Sequence, residues 1–443
     1  MQHTAEYELL FPMGYGNSSR CGYCGTRDSM RTGFSYYASA RSLSPQFYQT
    51  LLNRCWRRSG TLLYRPNQRQ ACCPHYTIRL DVTEFKPTRD QRQTVNRFNK
   101  YILGQDYISE SARIYPKSKQ EAKRRDNEFR LCERIREAQY SSVKTPPEPA
   151  HKLVVTLEHD VFTEEKYQVY QNYQQVVHHD APESRSPQDF ERFLCNSPLR
   201  RQEMTAPDGR KRRLGSYHQC YRIDGVLVAI GVLDLLPNCV SSVYFLYHED
   251  IYRHAPGKLG ALYEIALAME EGYGCWYPGF YIHNCPKMRY KVEFAPQYVL
   301  DPQALTWDLL DEEALSILDR KPFLSLSLER EARAKGPRND EGLGAEAASD
   351  SGQATTAGEA NLPLLHSDMP GIPSLEEMQK VDMDRVAVTL SPHGPYFKTA
   401  DLVSWDKGDI TDWPSLKAAV AELVAAIGTD LVDSICLDFQ KLG

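Results

Sequence analysis

The chain has 443 residues, of which 41% are hydrophobic and 25% are charged, and its formal net charge at pH 7 is −5. This composition excludes a fibrous or wholly disordered protein and is typical of a globular chain long enough for two or more cores. No stretch of sequence reaches the roughly 18 continuous apolar residues of a membrane span, and residues 1–16 lack the pattern of a secretory signal, so we expect a protein of the cytoplasm or nucleus that does not enter the membrane.

The charges are distributed unevenly along the chain. Residues 1–150 contain 25 Lys and Arg against 14 Asp and Glu, which gives +11, and the remaining residues contain 28 against 44, which gives −16. The basic segment is therefore a candidate surface for a polyanion such as RNA. A solvated basic face without a partner is the plainer alternative.

Two pairs of cysteines come first in chain order. Cys21 and Cys24 lie in a Gly-, Asn- and Ser-rich loop after a short predicted strand over 6–11, and Cys72 and Cys73 follow later. Four thiols from two segments can hold a tetrahedral metal ion or an iron–sulfur cluster, and four thiolates suit zinc and iron equally. Buried or redox-active cysteines are the alternative. His75 could replace one thiol, although a structural histidine is the simpler interpretation.

The rest of the first third alternates helices and strands. Ser44 and Pro45 have the form of an N-cap and first residue of a helix of about four turns that ends at Gly60. Strands are predicted over 62–65 and 76–82, on either side of the second cysteine pair. Further helices are predicted over 88–103 and 118–139. The candidate contacts to RNA on these two helices are Arg92, Arg97, Arg124 and Arg125.

The proline-rich stretch 145–149 predicts a stiff break, and we place the main domain boundary there. Beyond it we predict a strand over 152–158, a helix over 163–178, and a helix opened by a capping box at 186–189 and ended by the basic loop 210–213. A hairpin over 216–236 turns at Asp224-Gly225. A strand over 240–247, a helix over 259–271 and a strand over 276–282 follow. This order is typical of an N-acetyltransferase (GNAT) type acyltransferase, with an unspecialised α+β domain as the alternative.

The composition changes again near residue 331. Residues 331–373 are rich in Ala, Gly, Glu, Ser and Asp and predict a disordered insert. Ordered sequence resumes over 381–390, and 413–427 predicts a final amphipathic helix. The sequence thus predicts an α+β protein in four segments: a basic cysteine-cluster domain (1–147), a GNAT-like catalytic domain (148–330), the insert (331–373), and a C-terminal segment that packs on the catalytic domain (374–443).

Several segments carry dense polar motifs, namely 215–221, 231–234, 241–244 and 279–291, the last ending in Cys-Pro-Lys-Met-Arg-Tyr-Lys. At these motifs and at the two cysteine pairs, the chain resembles arginyl-tRNA–protein transferases of the eukaryotic, fungal type, over about residues 6–302. The resemblance implies transfer of arginine from arginyl-tRNA to the N-terminal amine of proteins beginning with Asp, Glu or oxidised Cys. That product is an N-degron, which leads to ubiquitin-dependent degradation. The resemblance also implies that Cys21, Cys24, Cys72 and Cys73 bind the family's cluster.

The chemistry of this transfer requires few catalytic groups. An aminoacyl ester is already activated, so the enzyme must position an amine, keep it deprotonated and exclude water. Asp234, which follows an apolar run on a strand, is the candidate base. His218 and Tyr244 are the other candidate catalytic residues. For each of the three, a structural role in the core is the alternative.

We expect the acceptor protein to bind at the last motif, residues 279–291. Lys287 and Arg289 are two residues apart, so in an extended segment both would point to one face and could bind the acidic side chain of the acceptor. Tyr281 and His283 are the candidate pocket residues beside them. Solvated charges and core aromatic residues are the alternatives.

Two other classes of protein compete with this interpretation. An acetyl-CoA-dependent acetyltransferase would need a Gly-rich loop that cradles pyrophosphate, and the spacing of 253–260 does not fit one, so we expect no acetyl-CoA. A non-enzymatic zinc- and RNA-binding protein would explain the basic third but not the polar motifs after 215. Arginyl-tRNA and the acceptor proteins are therefore the expected partners, and we expect a monomer.

Overall fold

Two β-sheets with helices packed against them make up the part of the chain that the structure describes. The computed structural model describes residues 7–17, 21–25, 33–181, 185–207, 209–335, 363–391 and 394–440. The strands are β1 (Glu8–Asn17), β2 (Phe34–Ser42), β3 (Arg57–Ser59), β4 (Leu62–Pro66), β5 (Tyr76–Asp81), β6 (Leu153–His159), β7 (Gln202–Thr205), β8 (Lys211–Ile223), β9 (Val226–Leu236), β10 (Cys239–Tyr247), β11 (Cys275–Tyr277), β12 (Phe280–Tyr281), β13 (Gln297–Leu300), β14 (Trp307–Leu309), β15 (Ala387–Thr389), β16 (Phe397–Lys398) and β17 (Ile435–Asp438). The helices are α1 (Pro45–Leu52), α2 (Arg89–Leu103), α3 (Gln105–Ile114), α4 (Lys119–Asn127), α5 (Leu131–Arg136), α6 (Glu164–His178), α7 (Pro187–Phe190), α8 (Pro256–Glu271), α9 (Pro286–Arg289), α10 (Glu312–Arg320), α11 (Leu326–Ala334), α12 (Leu375–Met378) and α13 (Leu416–Ile427).

The first sheet joins the beginning of the chain to its end. Its strand order is β16-β15-β17-β1-β2-β4-β3, and β1 runs parallel to β17 with Glu8 opposite Ile435. Helix α13 has apolar residues on nearly every face and is buried almost all round, because it packs into the core that this sheet shares with α1. The C-terminal segment therefore completes the first sheet, and its packing on the catalytic domain stays a prediction.

The second sheet carries the predicted catalytic strands. Its order is β14-β13-β5-β11-β10-β9-β8-β6, with β12 paired to β5 and β7 paired to β8. The hairpin β8–β9 turns at Asp224 and Gly225, both with positive φ, as predicted. Strand β5 from the basic third lies inside this sheet, since long-range pairing can bring distant segments together without any local signal. The division of the chain near residue 147 stays a prediction.

The second sheet opens between β10 and β12. Strands β10 and β11 run parallel, and their pairing ends at Ser241 and Tyr277. Beyond that point β10 is bulged between Ser242 and Tyr244, and the other side turns at Gly279, with φ of +83°, so that β12 pairs with β5 instead. A gap therefore forms between the two strands, at a bulge of the kind often found beside functional sites.

Several element boundaries differ from the predictions. Helix α1 ends at Leu52, because Cys55 takes a left-handed conformation and the chain returns as β3. The predicted helix over 118–139 is two helices, α4 and α5, since Glu128 is extended. The predicted loop 210–213 begins strand β8, and Gly279 divides the predicted strand 276–282.

The structure is ordered at both ends of the predicted insert 331–373. Helix α11 runs to Ala334, and the ordered segment after 363 buries Leu364 and Met369 in the first core. Residues 336–362 lie outside the described residues. The α+β class is confirmed, and the narrower GNAT-type assignment stays a prediction. In the described ranges, no helix has both the length and the apolarity that crossing a bilayer requires.

Candidate active site and metal centre

The four predicted cysteines meet in one cluster. One thiol sulfur from each of Cys21, Cys24, Cys72 and Cys73 lies within 4.8 Å of every other, and the Sγ atoms of Cys24 and Cys72 are 3.6 Å apart. The first pair lies on a turn closed by the Gly25 N–H donating to the Cys21 carbonyl, and the second pair lies between β4 and β5. The sequence prediction that two distant pairs form one site is confirmed in its geometry.

This geometry fits a thiolate-bound metal. Four sulfurs placed tetrahedrally about 2.3 Å from one metal ion are about 3.8 Å from one another, which is close to the spacing here. Burial and the neighbouring thiols raise the pKa of Cys72 to about 12 in the absence of a cation. A bound cation would stabilise the thiolates, so the donor set fits a metal ion.

The cysteine cluster packs against the last polar motif. Cys21 and Cys73 share a small buried cluster with Ile282 and Cys285. His75 connects it to the gap in the second sheet, since its ring contacts those of Tyr23 and Phe280 at centroid distances of 5.0 and 5.2 Å. Burial lowers the pKa of His75 to about 4, and the four-cysteine group does not include it.

Two cavities lie on one face of the hairpin β3–β4. The first, called here the main cleft, has a volume of about 830 Å³ and is lined by Gly22, Ser59, Leu62, Tyr244 and others. The second, called here the cysteine cavity, has a volume of about 290 Å³ and is lined by residues that include Gly22, Tyr64, Pro66 and Cys73. Alternate residues of a strand share a face, so both cavities open on the same side of the hairpin.

Arg57 lies on this same face of the hairpin, next to residues that line the two cavities. It is two residues before Ser59 and pairs with Tyr64 across the hairpin. Its guanidinium stands 5.3 Å from the ring centroid of Phe280 and 5.7 Å from that of Tyr277. All three of its side-chain nitrogens are buried without a hydrogen-bond partner within the described part of the chain.

Lys291 and Glu264 occupy the gap between β10 and β12. The Lys291 ammonium donates to the Phe280 carbonyl at 2.6 Å, and its burial, followed by the charge of Arg57, lowers its pKa to about 7. Glu264 of α8 accepts hydrogen bonds from Ser242 at 3.2 Å and from the Trp276 indole at 2.7 Å. Burial raises the pKa of Glu264 to about 7. Two oppositely charged groups that titrate near neutrality therefore lie where the sheet opens.

The main cleft has a polar wall formed by α6 and β10. The Tyr244 hydroxyl is 3.1 Å from Nε2 of His178 and 3.4 Å from the amide nitrogen of Gln174. Burial, and then the charge of Lys287, lower the pKa of His178. Tyr244 therefore lines the main cleft, with the exposed imidazole of His178 beside it, and its catalytic role stays a prediction.

Asp234 does not face the cleft. Both of its carboxylate oxygens accept from Arg58, at 2.8 and 2.6 Å, and the pair is buried between β3 and the second sheet. His218 is also fully buried, and its Nε2 is 3.0 Å from the Leu194 carbonyl. Burial lowers its pKa to about 4. These positions favour structural roles for both residues, because neither can reach a substrate in the cleft.

The acceptor-binding residues predicted in the last motif are arranged differently from expectation. Lys287 and Arg289 are exposed and lie on helix α9, where residues two apart do not share a face, so the argument from an extended segment is wrong. The Tyr281 hydroxyl is 2.7 Å from Nδ1 of His283, whose Nε2 is 2.7 Å from Asp319. Both residues are buried, and this chain of contacts connects β12 to α10.

The four candidate RNA-binding arginines all lie on α2 and α4. Arg92 and Arg97 are exposed on α2, as predicted. Arg124 and Arg125 instead pair with Glu133 at 3.5 Å and with Glu137 at 2.6 Å. The two pairs of arginines therefore differ in how much of their charge is already neutralised.

The sequence analysis missed three residues of this site: Arg57, Glu264 and Lys291. Arg57 fell within the predicted first helix, where an arginine has no special meaning. Lys291 closed the quoted motif, but nothing in the sequence marks a lysine as buried. Glu264 sits among apolar residues of a helix that is buried on nearly all sides, and a lone acidic residue in such a run is the signal that could have identified it.

Comparisons with known proteins decide the family. A family model described as arginine-tRNA-protein transferase, N terminus, matches residues 19–93, and a second, described as its C terminus, matches residues 165–301. The chain belongs to the arginyl-tRNA–protein transferase family. The cysteine cluster and Arg57 fall in the first match, and Glu264 and Lys291 fall in the second.

Curated proteins similar to this arginyltransferase-family chain support the same family assignment. Arginyl-tRNA–protein transferase 2 of Arabidopsis thaliana is 26% identical over 465 residues, covering 70% of this chain and 76% of the relative. Arginyl-tRNA–protein transferase 1 of Saccharomyces cerevisiae is 31% identical over 271 residues, covering 57% and 48%. The aspartate/glutamate leucyltransferase of Pseudomonas fluorescens is 27% identical over 269 residues, covering 60% and 83%.

Proposed function

We propose that this chain transfers arginine from arginyl-tRNA to the N-terminal amine of proteins that begin with Asp, Glu or oxidised Cys. One observation carries the proposal: residues from both family matches line a single cleft. Gly22, Ser59 and Leu62 belong to the first match, and Gln174 and Tyr244 belong to the second. The two halves of the family therefore enclose one space large enough for substrates.

The reaction needs one proton acceptor and no covalent enzyme intermediate. The acceptor's amine attacks the ester carbonyl of arginyl-tRNA, the new amide C–N bond forms, and the ester C–O bond to the terminal ribose breaks. The proton lost by the amine ends on the departing ribose oxygen. The protein must hold the two substrates in contact, remove the proton and exclude water.

Glu264 is a better candidate for the base than Asp234. Its pKa of about 7 suits proton transfer at neutral pH, and the hydrogen bonds from Ser242 and Trp276 fix its orientation. Asp234 is instead held in a buried ion pair with the Arg58 cation, whereas the hydrogen-bond partners of Glu264 are neutral. Tyr244 and His178 then form the polar wall on which the substrates are positioned.

Transfer of labelled arginine from charged tRNA to an Asp-initiated peptide tests the proposal. We expect transfer with arginyl-tRNA and none with acetyl-CoA as the donor. Glu264→Gln should lower kcat by about 10²- to 10⁴-fold, as for other general bases. Glu293→Gln, at an exposed position, is the control and should not change it. No transfer from arginyl-tRNA by a folded protein would contradict the function, and an active Glu264→Gln would contradict the base.

We also propose that the four cysteines bind one metal ion, and the sulfur spacing supports zinc over a cluster of several irons. In an iron–sulfur cluster the four thiolates are divided between two or four irons, which sets the sulfurs on different irons farther apart. The metal would connect the 21–25 turn to the segment before β5 and so fix Gly22, which lines both cavities. Its contribution would be to folding, since a thiolate site forms with the fold.

Cys24→Ser tests the metal site. Cys24 is the exposed member of the cluster, so its replacement should lower metal content and stability without disturbing the core. Cys285→Ser, next to the cluster but outside the four-sulfur group, is the matched control and should keep the metal. Metal analysis and an absorption spectrum after anaerobic purification distinguish zinc from iron. Full metal loading of Cys24→Ser would show that the ligand is wrong.

A further inference from the structure

Arg57 is a buried charge for which the described part of the chain provides no carboxylate partner. Its residue is 6% exposed, and its Nε, Nη1 and Nη2 atoms have no hydrogen-bond partner among the residues the structure describes. The guanidinium carries five N–H donors and stays protonated in proteins. A buried guanidinium normally has its donors occupied, so an unoccupied one indicates a missing partner.

The aromatic rings beside Arg57 do not provide that partner. Stacking on Phe280 and Tyr277 stabilises a cation only modestly. Burying an ion costs more free energy than such stacking returns, and the unmade hydrogen bonds add to that cost. The stacking orients the guanidinium but leaves it uncompensated.

Lys291 increases the local positive charge. It is 7% exposed, its ammonium donates one hydrogen bond among the described residues, to the Phe280 carbonyl, and it lies near enough to Arg57 for the two charges to repel. Glu264 is the carboxylate that acts on Lys291, and it is already held by Ser242 and Trp276. The gap therefore holds two basic groups against one carboxyl group.

We propose that Arg57 and Lys291 bind the side-chain anion of the acceptor's N-terminal residue, an inference that rests on the transfer reaction proposed above. A carboxylate of Asp or Glu is planar and matches the guanidinium fork, with the ammonium as a second donor. The oxidised side chain of Cys presents the same charge. Binding this anion satisfies donors that the protein leaves unpaired.

The position of the pocket suits this role in the reaction. Arg57 is two residues before Ser59, which lines the main cleft. Lys291 lies with Glu264 in the gap in the second sheet. The amine and the side-chain carboxylate of one Asp or Glu residue are only a few ångströms apart. An acidic residue anchored by Arg57 and Lys291 would therefore place its amine near the candidate base.

The pocket is better suited to a side chain than to an RNA phosphate. Arg57 and Lys291 are both buried, and the rings of Tyr277 and Phe280 lie beside the Arg57 guanidinium. A side-chain carboxylate ends at its anion and can approach such buried groups. A phosphodiester continues in two directions and would have to bring its neighbouring nucleotides with it.

The test compares Arg57→Met with Arg69→Met. Arg69 is also stacked on a ring, that of Phe323, but is exposed, which makes it a matched control. Arginine transfer is measured on peptides that begin with Asp or with its neutral isostere Asn, and peptide binding is measured separately by calorimetry. The affinity for arginyl-tRNA and the thermal unfolding of the ligand-free protein complete the set.

We expect Arg57→Met to raise KM and Kd for the Asp peptide by about 10- to 100-fold, the usual effect of losing a charged hydrogen bond. The preference for Asp over Asn should collapse, Arg57→Lys should recover part of it, and arginyl-tRNA affinity should not change. Ligand-free Arg57→Met should be at least as stable as the wild type, because it removes an unpaired buried charge. Arg69→Met should behave as the wild type.

Three results would overturn the inference while leaving the transfer reaction standing. The first is an unchanged Asp-over-Asn preference in folded Arg57→Met. The second is an equal loss with both peptides, which would indicate a structural role. The third is a loss confined to tRNA affinity, which would assign the site to an RNA phosphate. Absence of arginine transfer by the wild-type protein would instead contradict the proposed function itself.

Discussion

Arg57 and Arg58 are consecutive residues of β3 that point to opposite faces and have opposite surroundings. On one face, Arg58 donates to both oxygens of Asp234, to Ser216 and to the Gly60 carbonyl. On the other face, Arg57 has aromatic rings beside it and no acceptor for its nitrogens within the described ranges. Both are buried, so burial alone does not distinguish them.

The difference indicates what each face of β3 does. A buried ion pair with all its donors occupied fixes the position of one sheet against the other. A buried cation without an acceptor is costly, and proteins keep such groups where a ligand will use them. One face of the strand is therefore structural, and the other belongs to the site.

Removing Arg58 should give the largest effect. Arg58→Met leaves the Asp234 carboxylate buried and uncompensated, so we expect the free energy of unfolding to fall by about 3–5 kcal/mol. The same substitution at the neighbouring Arg57 should cause no loss. Chemical denaturation of both variants, followed by circular dichroism, measures the difference.

A double variant sharpens this comparison. Arg58→Met with Asp234→Leu removes both charges and should recover most of the lost stability, since apolar replacements of buried pairs are often neutral. Wild-type stability in Arg58→Met alone would contradict the structural assignment. An inactive but fully stable Asp234→Asn would restore the catalytic role predicted from the sequence.

The contrast between paired and unpaired cations recurs on the surface. Arg124 and Arg125 form ion pairs with Glu133 and Glu137, whereas the described residues place no carboxylate within ion-pair distance of Arg92 or Arg97. A phosphate can therefore bind the α2 arginines without displacing another anion. The α4 arginines must first give up a partner.

Replacing the α2 arginines should accordingly weaken tRNA binding more. We expect Arg92→Ala with Arg97→Ala to lower affinity for tRNA by about 40-fold at 0.1 M salt and to reduce the salt slope by about 2, since each phosphate contact releases close to one counterion. Arg124→Ala with Arg125→Ala should have a smaller effect. Filter binding over a salt series measures both. Equal effects, or a flat salt dependence, would contradict this surface.

The sequence predicted local features well because local chemistry determines them. The helix predicted over 88–103 is observed as α2, which a capping box of Thr88 and Gln91 opens, and the Asp224-Gly225 turn is where the pattern placed it. The cysteine pairs were found because thiol spacing is itself the signal. The predicted end of α1 was wrong, because the apolar spacing continues to Cys55, where the backbone reverses direction.

What could not be predicted depends on long-range pairing. Nothing near Tyr76 indicates that β5 enters a sheet with strands some two hundred residues later, and without that sheet the gap beside β12 cannot be located. Arg57 is meaningful only because Phe280 and Tyr277 cover it. Asp234 looked catalytic at the end of a strand, and its partner, Arg58, lies far away in the sequence.

The smallest expected effect is a pH dependence from Lys291. The groups whose charge acts on it are Arg57 of β3 and Glu264 of α8, with the Cys285 thiol nearby, and it acts in turn on His75, which stays neutral because its pKa is about 4. The pKa of Lys291 is lowered to about 7, so in the ligand-free protein the ammonium is charged below pH 7 and neutral above it. A bound carboxylate favours the charged form, which means that acidic peptides bind with proton uptake above pH 7.

The affinity for an Asp-initiated peptide should therefore be constant below pH 7 and fall about tenfold by pH 8, the loss expected for a group with a pKa near 7. Calorimetry at pH 6, 7 and 8 measures this, in buffers of different ionisation enthalpy so that proton uptake is counted. An Asn-initiated peptide shares the titrating amine but lacks the carboxylate, so its weaker affinity should not show the same decline. Lys291→Met should remove the decline for the Asp peptide while Arg57 still binds it. If the decline persists in Lys291→Met, the titrating group is Glu264 and Lys291 is not a ligand of the acceptor.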